Sequence, residues 1–344
     1  MTSLGVARDG KPLLTVILAT PDHEIGALVS VMRCIGGQSI AQQIEVIAVA
    51  PATMQADIPA DAIEPLFGVK LLRVPCISNL ADAVVPALEF ATAEVVVMAE
   101  DHAYPAPGWA EALLAAHAQG WDVVGPVIAN ANPRSGMSWT HLVMDYGRWM
   151  LGSPSGQRVD LPGHNSTYKR EVFQLLNRQE LYDRLVLCEQ NTALRSLGAR
   201  LYLQSEAVVW HQHPSRFLGS CGLRIRAGRM FGARRVEENH WNLPRRVVYV
   251  FLWPILLVMR LKYVLQSISQ AGQWKQYLRP RIFTSLMFGV WLGVVGEAVG
   301  YLRGFGTTID TFAGDEFHRL RQMSDRDVTD AKAKSPREMH IQTL

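Results

Sequence analysis

Three consecutive titratable residues directly follow a strongly apolar run, and their types and spacing suit a cation site. The run EVVVMAE, residues 94–100, is typical of a buried strand, and Glu100, Asp101 and His102 stand at its end. Alternate residues of an extended chain face the same side, so Glu100 and His102 could bind one divalent cation while Asp101 points away or to a ribose. Carboxylate oxygen and imidazole nitrogen suit Mn²⁺ and, less well, Mg²⁺ in a site that also takes phosphate oxygens. A solvated acidic turn is the alternative that this triplet leaves open.

A second candidate set is the histidine pair in AVVWHQHP, residues 207–214. His211 and His213 stand at the end of another predicted strand and, by the same alternation, would lie on one side of it. Either imidazole could complete the ligands of the cation or contact a diphosphate oxygen, and a structural role is the alternative. A zinc hydrolase is disfavoured, because no H-E-x-x-H motif or cysteine ligand set accompanies the pair.

Four apolar runs separated by helical patterns provide the framework for these residues. Besides residues 94–100, the runs 13–19, 44–50 and 69–74 are typical of buried strands. Strands that alternate with helices predict an α/β fold with a Rossmann-like, mixed but mostly parallel sheet and flanking helices. Such sheets bind ligands beyond the carboxyl ends of their strands, which here are the turns TPDHE, APATM and the acidic triplet. After Gly125, turn-rich sequence predicts a lobe of long loops that completes the pocket.

Length and composition restrict the class of protein. The 344 residues suffice for about two compact units, and 49% apolar residues exclude a disordered chain. A net charge of +3 is too small to argue for nucleic-acid binding. The four cysteines have no paired spacing, which disfavours a zinc ribbon or a disulfide framework. Residues 1–11 are polar and lack the apolar core of a secretory signal, so the chain is expected to start in the cytosol.

Two apolar segments near the C-terminus are shorter than an ideal membrane span of roughly 20 residues. They cover residues 247–259 and 282–296, and the second resumes after one glutamate. If both crossed a bilayer, their basic connector would face outward, against the positive-inside rule. We therefore expect interfacial or re-entrant helices under a cytosolic domain, a placement that the tryptophans of these segments and of their connector favour. Two buried helices of a soluble lobe are the alternative.

The strand, the acidic motif and the following PAPGW together resemble the D-x-D region of family 2 of the inverting glycosyltransferases. Glu100 and His102 stand where that family has its two aspartates. The turn TPDHE, the segment LPGHNSTYKRE (161–171) and the segment LCEQN (187–191) are similar to further motifs of the family, and the resemblance covers residues 14–229. It implies a GT-A fold and an enzyme that depends on Mn²⁺ or Mg²⁺ and inverts the anomeric carbon of the transferred sugar.

The resemblance also implies which residues bind the donor. The nucleotide would be contacted by the turn after the first strand and by one residue of the acidic triplet, namely Thr20, Pro21, Asp22, Glu24 and Asp101. The sugar and acceptor pocket would be lined by residues of LPGHNSTYKRE, namely His164, Asn165 and Lys169. A helix N-cap at Ser166 or Thr167 is the alternative for this segment.

The resemblance places the acceptor's general base in LCEQN. The family has an acidic pair there, but this chain has Glu189 followed by Gln190. A glutamine cannot accept the proton, which leaves Glu189 as the predicted catalytic base. A purely structural carboxylate at the start of the following helix is the alternative.

A basic segment before the apolar region could bind further anionic groups. In GLRIRAGRMFGARR, residues 222–235, Arg226 and Arg229 are predicted to contact the donor diphosphate or anionic lipid headgroups, and a solvated basic helix face is the alternative. Two features depart from the family: Ala50 replaces an aspartate that contacts the nucleotide, and the helix before the metal motif lacks the usual Arg-Asn pair. The Q-x-x-R-W motif of processive members is also missing, which favours transfer of a single sugar.

The expected organisation is a glycosyltransferase domain over residues 1–240, with nucleotide-sugar and acceptor halves that meet near residue 125. A membrane-associated helical region (241–310) and a flexible tail (311–344) follow. The expected partners are a nucleoside-diphosphate sugar, UDP-sugar first, and a lipid-linked or glycan acceptor of polysaccharide biosynthesis at the cytosolic face of the cell membrane. A non-catalytic module that binds nucleotide-sugar is the alternative that Ala50 and Gln190 leave open. A nucleotidyltransferase is disfavoured, because TPDHEIG is not a glycine-rich phosphate loop.

Overall fold

The computed structural model describes residues 1–4, 10–21, 25–54, 57–317 and 319–333. The chain forms two compact units. Of the described residues, unit 1 comprises those within 1–129 and 153–211 together with 331–333, and unit 2 comprises those within 130–152 and 212–330. This division by contacts differs from the functional division expected at residues 240 and 310, which stays a prediction.

A mixed sheet forms the centre of unit 1. Its strands are β1 (Thr2–Leu4), β2 (Leu14–Ala19), β3 (Ile44–Pro51), β4 (Gly68–Val74), β5 (Val95–Glu100), β6 (Ala103–Pro105), β7 (Val123–Asn130), β8 (Gly156–Arg158), β9 (Thr167–Lys169) and β10 (Leu201–His211). Their order in the sheet is β1-β4-β3-β2-β5-β9-β7-β10-β6, and β8 pairs with β10. Strands β4, β3, β2 and β5 are parallel, whereas β1, β6, β8 and β9 pair in antiparallel fashion.

The four predicted strands are present as β2, β3, β4 and β5 and are parallel to one another, which confirms a mixed α/β sheet. The parallel arrangement is limited to these four strands, because the pairs that β1, β6, β8 and β9 form are antiparallel. Every residue of β2, β3 and β5 is buried, as expected for parallel strands that are covered on both faces. Ala19 at the end of β2 pairs with Glu100 at the end of β5 and with Val49 of β3. This register brings the carboxyl ends of the central strands to one edge, where the predicted cation ligands stand.

Helices flank the sheet and make up most of unit 2. They are α1 (Ile25–Gly36), α2 (Ala60–Ile63), α3 (Leu80–Leu88), α4 (Trp109–Ala118), α5 (Gly136–Tyr146), α6 (Arg178–Val186), α7 (Gln190–Ser196), α8 (Phe217–Glu238), α9 (Leu243–Phe251), α10 (Trp253–Gln270), α11 (Trp274–Tyr277), α12 (Pro280–Arg303), α13 (Thr308–Phe317) and α14 (Asp325–Ala333). Short 3₁₀ helices lie at Ala41–Gln43, Arg170–Leu175 and Arg319–Gln322. Helix α6 begins at a capping box of Asn177 and Glu180, which satisfies two backbone N–H groups of its first turn.

Within unit 2, α8 and α12 pack through glycines. A Cβ atom at Gly228 would overlap the carbonyl oxygen of Gly293, and one at Gly296 would overlap that of Ile225. Only glycine permits such a close approach of two helix backbones, so this contact, which we call the glycine seam, fixes α12 against α8. Next to it, Val236 and Tyr301 belong to a small apolar core of unit 2.

The apolar C-terminal segments form α9, α10 and α12. Among the described residues, α12 is the single helix that is long and apolar enough by itself to cross a membrane, and half of its most apolar part is buried. Helices α9 and α10 meet that criterion only as a pair, and their axes are bent by 67°. The expected flexible tail contains α13 and α14 in its described part, and Met323 is buried there.

Candidate active site

Glu100, His102 and His211 form a buried group at the carboxyl edge of the sheet. One ligand atom of each residue lies within 4.8 Å of the others, and the three residues are at most 5% exposed. Glu100 is the last residue of β5, and His102 lies in the turn that leads to β6. Strand β6 pairs with β10 so that Ala103 is opposite His211, which carries the third ligand to the group. Two histidines and one carboxylate of the predicted set are thus brought together.

The geometry of this group fits a divalent cation. The Nε2 atom of His211 is 3.3 Å from Oε2 of Glu100, and the Nε2 atom of His102 is 3.6 Å from Oε1 of the same carboxylate. The rings of the two histidines meet edge to face, with their centroids 4.8 Å apart. The buried Nε2 atom of His102 makes no hydrogen bond with any residue that the structure describes. A buried imidazole nitrogen without a hydrogen bond is costly unless it serves as a ligand, so these residues suit a metal ion.

Asp101 positions one of the ligands. Its Oδ1 lies 3.1 Å from Nδ1 of His102, and its Oδ2 accepts a hydrogen bond of 2.9 Å from the Thr20 hydroxyl. A carboxylate on Nδ1 fixes the proton there and leaves Nε2 as the electron-pair donor, an arrangement common behind metal-bound histidines. Both oxygens of Asp101 therefore contact protein groups, and the expected contacts of Asp101 and Thr20 with a nucleotide stay predictions.

The loop at residues 161–166 reaches the same carboxylate from the other side. Asn165 has a left-handed backbone with φ 63°, its backbone N–H donates to the carbonyl of Met98, and its side-chain amide donates to Oε2 of Glu100 at 3.1 Å. The Nδ1 atom of His164 is 3.3 Å from Oε1 of Glu100. His164 was expected in the sugar pocket, and the structure places it beside the cation ligands. The sequence around His164 does not reveal this contact with Glu100, because the contact depends on the left-handed backbone of Asn165.

The electrostatics of the group favour a charged carboxylate. Burial alone would raise the pKa of Glu100, but the charges of His164, His102 and His211 and the hydrogen bond with His211 outweigh it and hold that pKa well below its ordinary value. Glu100 is therefore anionic at neutral pH, as a ligand of a divalent cation would need to be.

Glu189 and Gln190 differ in their surroundings. Glu189 precedes α7, is partly exposed, and its Oε2 accepts a hydrogen bond of 3.0 Å from Arg184. Gln190 is fully buried, and its amide donates to the carbonyl of Gly163 at 2.7 Å. The glutamine thus supports the loop that carries His164 and Asn165, and the role of Glu189 as base stays a prediction.

His213 is not part of the cation group. Strand β10 ends at His211, so the alternation that would keep both histidines on one side stops there. The ring of His213 lies 5.7 Å from that of Tyr146, and its backbone N–H donates to the Asn132 side chain. The geometry gives no support to its expected role as a ligand, which stays a prediction.

The other expected donor-binding residues fall into three groups. Asp22 and Glu24 lie outside the described residues, and Pro21 is buried two residues after the end of β2. Lys169 forms an ion pair with Asp122 at 3.3 Å. In unit 2, the side chains of two arginines already contact protein groups: Arg226 pairs with Asp315, and Arg229 donates to the carbonyl of Gly304. Donor binding by these residues stays a prediction.

Comparisons with known proteins agree with this fold. The sequence model described as Glycosyl transferase family 2 matches residues 39–176. Among solved structures, the mannosyltransferase PcManGT from Pyrobaculum calidifontis in complex with GDP-Man and Mn²⁺ superposes with a TM-score of 0.51 at 18% identity, over 86% of this chain and 88% of that one. The structure of GalNAc-T7 with UDP, GalNAc and Mn²⁺ has a TM-score of 0.43 at 12% identity, over 60% of this chain and 45% of that one. No curated protein sequence matches the chain. The chain thus contains a segment, residues 39–176, that is similar to glycosyl transferase family 2, and it has a GT-A-like fold.

Proposed function

We propose that this protein is a metal-dependent, inverting glycosyltransferase that moves one sugar from a nucleoside-diphosphate sugar to an acceptor. The observation that carries the proposal is the buried group of Glu100, His102 and His211 at the carboxyl edge of the sheet. Two of its three members lie within the family 2 segment. The edge where parallel strands end is also the usual ligand site of open α/β sheets.

A divalent cation, Mn²⁺ or Mg²⁺, held by these residues would neutralise the negative charge that develops on the departing diphosphate. The protein's own groups preorganise this site. Asp101 holds the Nδ1 proton of His102, and the amide of Asn165 fixes one oxygen of Glu100. The burial of these three residues would limit the access of water to a bound cation.

Glu189 is the proposed general base. It accepts the proton of the acceptor hydroxyl while that oxygen attacks the anomeric carbon from the face opposite the diphosphate. The pairing with Arg184 orients its carboxylate, and its partial exposure leaves room for an acceptor. Gln190 cannot take this role, because an amide does not accept a proton near neutral pH.

The donor is proposed to be a UDP-sugar, with GDP-mannose as the second donor to test in view of the GDP-Man complex named above. The acceptor is proposed to be lipid-linked or a glycan at the cytosolic face of the cell membrane. The basic and apolar composition of residues 245–303 supports a membrane location.

The test is release of nucleoside diphosphate from a panel of UDP- and GDP-sugars with Mn²⁺ or Mg²⁺. We expect one donor to be turned over, His102→Ala to abolish turnover, and Glu189→Gln to abolish it while Mn²⁺ and nucleotide binding persist in calorimetry. Glu171→Gln removes an exposed carboxylate and serves as the matched control, which should keep full turnover. If Glu189→Gln keeps full turnover, the assignment of the base is wrong.

A non-catalytic module that binds nucleotide-sugar is the second candidate. The observation that favours it is the buried amide of Gln190, which donates to the carbonyl of Gly163 at a position where the resemblance to the family implies an acidic residue. Metal-dependent binding of a nucleotide-sugar, with no turnover of any donor in the presence of lipid and glycan acceptors, would establish this module in place of the enzyme.

A further inference from the structure

The joint between α9 and α10 exposes an unusual amount of apolar surface. The two helices meet at Leu252 with the 67° bend, and seven large apolar side chains around the joint are exposed. We call this set the apolar elbow, and its members are Val247, Val248, Phe251, Trp253, Ile255, Val258 and Met259. Phe251 is the most exposed of them, at 77%. Soluble proteins rarely leave so many large apolar groups in water over so short a segment, so this surface needs a partner.

Residues 241–309, which include the apolar elbow, are strongly basic. Between residues 241 and 309 the basic residues are Arg245, Arg246, Arg260, Lys262, Lys275, Arg279, Arg281 and Arg303, and the one acidic residue is Glu297. Glu297 is buried and forms an ion pair with Arg260 at 2.6 Å. The exposed Arg245 and Lys262 flank the elbow on its two sides. A surface that is apolar at its centre and basic at its margins complements a membrane leaflet with anionic headgroups.

An open apolar groove of about 670 Å³ adjoins the elbow. Val250 and Trp253 line one side, and the α12 residues from Trp291 to Arg303 line the other. The α12 side of the groove is about 18 Å long at 1.5 Å per residue. Arg303 is the charged residue of the lining and ends α12. The groove therefore has the dimensions and polarity for one hydrocarbon chain with its anionic headgroup at Arg303.

The glycine seam argues that α12 does not cross the bilayer. Helix α8 lies directly against α12 and carries five arginines, namely Arg224, Arg226, Arg229, Arg234 and Arg235. Arg235 donates to the Tyr301 hydroxyl at 2.7 Å, so the arginines of α8 remain close to α12 along its second half. If α12 spanned the membrane, these arginines would enter the hydrocarbon core, where charged side chains are strongly disfavoured.

We propose that the apolar elbow is embedded in the interface of an anionic lipid leaflet and that unit 2 lies on this leaflet without crossing it. Phe251 and Trp253 enter the boundary between headgroups and acyl chains, Arg245 and Arg303 contact lipid phosphates, and an acyl chain of the same leaflet fills the groove. The inference deepens the proposed membrane location but rests on unit 2 alone, so it stands or falls separately from the sugar-transfer chemistry of unit 1.

The experiment is flotation of the full-length protein with two kinds of vesicles, phosphatidylcholine alone and phosphatidylcholine with about one third phosphatidylglycerol. We expect flotation with the anionic vesicles and a loss of about tenfold or more for the double substitution Phe251→Asp and Ile255→Asp, because two apolar anchors become charged. Arg245→Glu should weaken flotation with the anionic vesicles and make it less sensitive to salt, because one basic contact with the headgroups is lost. Val159→Asp changes an exposed apolar residue of unit 1 and is the matched control, which should float like the parent.

Three outcomes would overturn the inference. One is unchanged flotation of the double variant. Another is a dimer that the parent forms without detergent and that the double variant does not form, since the elbow would then bind a second copy of the chain. The third is a fragment around α12 that trypsin does not digest after the protein is added to preformed vesicles, which would indicate that α12 crosses the bilayer. Turnover of the donor sugar in detergent is measured separately. If the parent floats with anionic vesicles but turns over no donor, the proposed function is contradicted. If it turns over a donor but does not float, this inference is contradicted.

Discussion

Nε2 of His211 lies 3.3 Å from Oε2 of Glu100, although 111 residues separate the two positions in the chain. The contact exists because the chain after Glu100 turns into the short strand β6, which pairs with the end of β10. A parallel strand end supplies the carboxylate, and an antiparallel pair supplies the second imidazole. The cation site therefore depends on the pairing of β6 with β10 as much as on the identity of its ligands.

Asp101 is predicted to control the affinity for the cation through His102. The substitution Asp101→Asn keeps the shape but removes the negative charge beside Nδ1 of His102 and weakens the contact with Thr20. We expect Mn²⁺ affinity to fall about tenfold, the lower end of the usual effect of groups that orient metal ligands. Calorimetric titration of Mn²⁺ measures it, with His102→Ala as the variant that should bind least. Equal affinity for the parent and Asp101→Asn would show that Asp101 does not orient the ligand.

The donor set predicts a preference among cations. Two imidazoles and one carboxylate favour transition metals, whereas Mg²⁺ prefers oxygen ligands and keeps several waters. We expect the parent to bind Mn²⁺ more tightly than Mg²⁺. In His102→Asp the ratio of the two dissociation constants should be smaller, because the substitution replaces a nitrogen donor by an oxygen donor. The two dissociation constants are measured by calorimetry and by the Mn²⁺ electron spin resonance signal. A ratio that does not change in His102→Asp would argue that His102 is not a ligand.

Gln190 is predicted to have a structural role. In Gln190→Glu a buried carboxylate would face the carbonyl of Gly163, where the parent donates a hydrogen bond from its amide. We expect the free energy of unfolding to fall by about 1–3 kcal/mol, the cost of a lost and unsatisfied buried hydrogen bond. Chemical denaturation measures the loss, and Gln157→Glu, at the exposed middle position of β8, is the matched control that should stay close to the parent. A gain of turnover in Gln190→Glu without loss of stability would instead favour a catalytic position.

The strands and the pair of Glu100 and His102 could be predicted from sequence because both depend on short-range patterns. Buried parallel strands appear as apolar runs, and alternation along an extended chain is local. The same rule holds only as far as the strand continues, and β10 ends at His211, so the expected role of His213 stays a prediction. Local patterns thus locate the end of a strand less reliably than its centre.

The remaining features depend on long-range contacts that no short pattern contains. His164 reaches Glu100 because Asn165 adopts a left-handed conformation and Gln190 holds Gly163 from another element. Residues 130–152 join unit 2 although they lie between two parts of unit 1 in sequence. The glycine seam could likewise not be predicted from the apolar runs, because a glycine in such a run does not indicate which backbone approaches it.

His117 predicts how stability depends on pH. Its Nδ1 lies 3.0 Å from the carbonyl oxygen of Trp121 and its Nε2 lies 2.9 Å from the Thr167 hydroxyl, which connects α4 to β9 beside β5. Burial lowers the pKa of His117 from 6.5 to about 4, although the hydrogen bond to Trp121 opposes part of this effect. Between these two pH values the unfolded chain binds more protons than the folded one. Stability is therefore complete above pH 6.5 and is lost as the pH falls toward 4.

For His117 alone, the expected loss of unfolding free energy between pH 7 and pH 5 is about 2 kcal/mol. His117→Gln does not titrate in this range and should lose correspondingly less, as measured by urea denaturation at the two pH values. Part of the dependence will persist, because burial and the nearby charge of Arg224 also lower the pKa of His141 to about 4. His240→Gln alters an exposed histidine and should keep the full pH dependence of the parent. If His117→Gln shows the same loss as the parent, His117 is already protonated in the folded protein at pH 5.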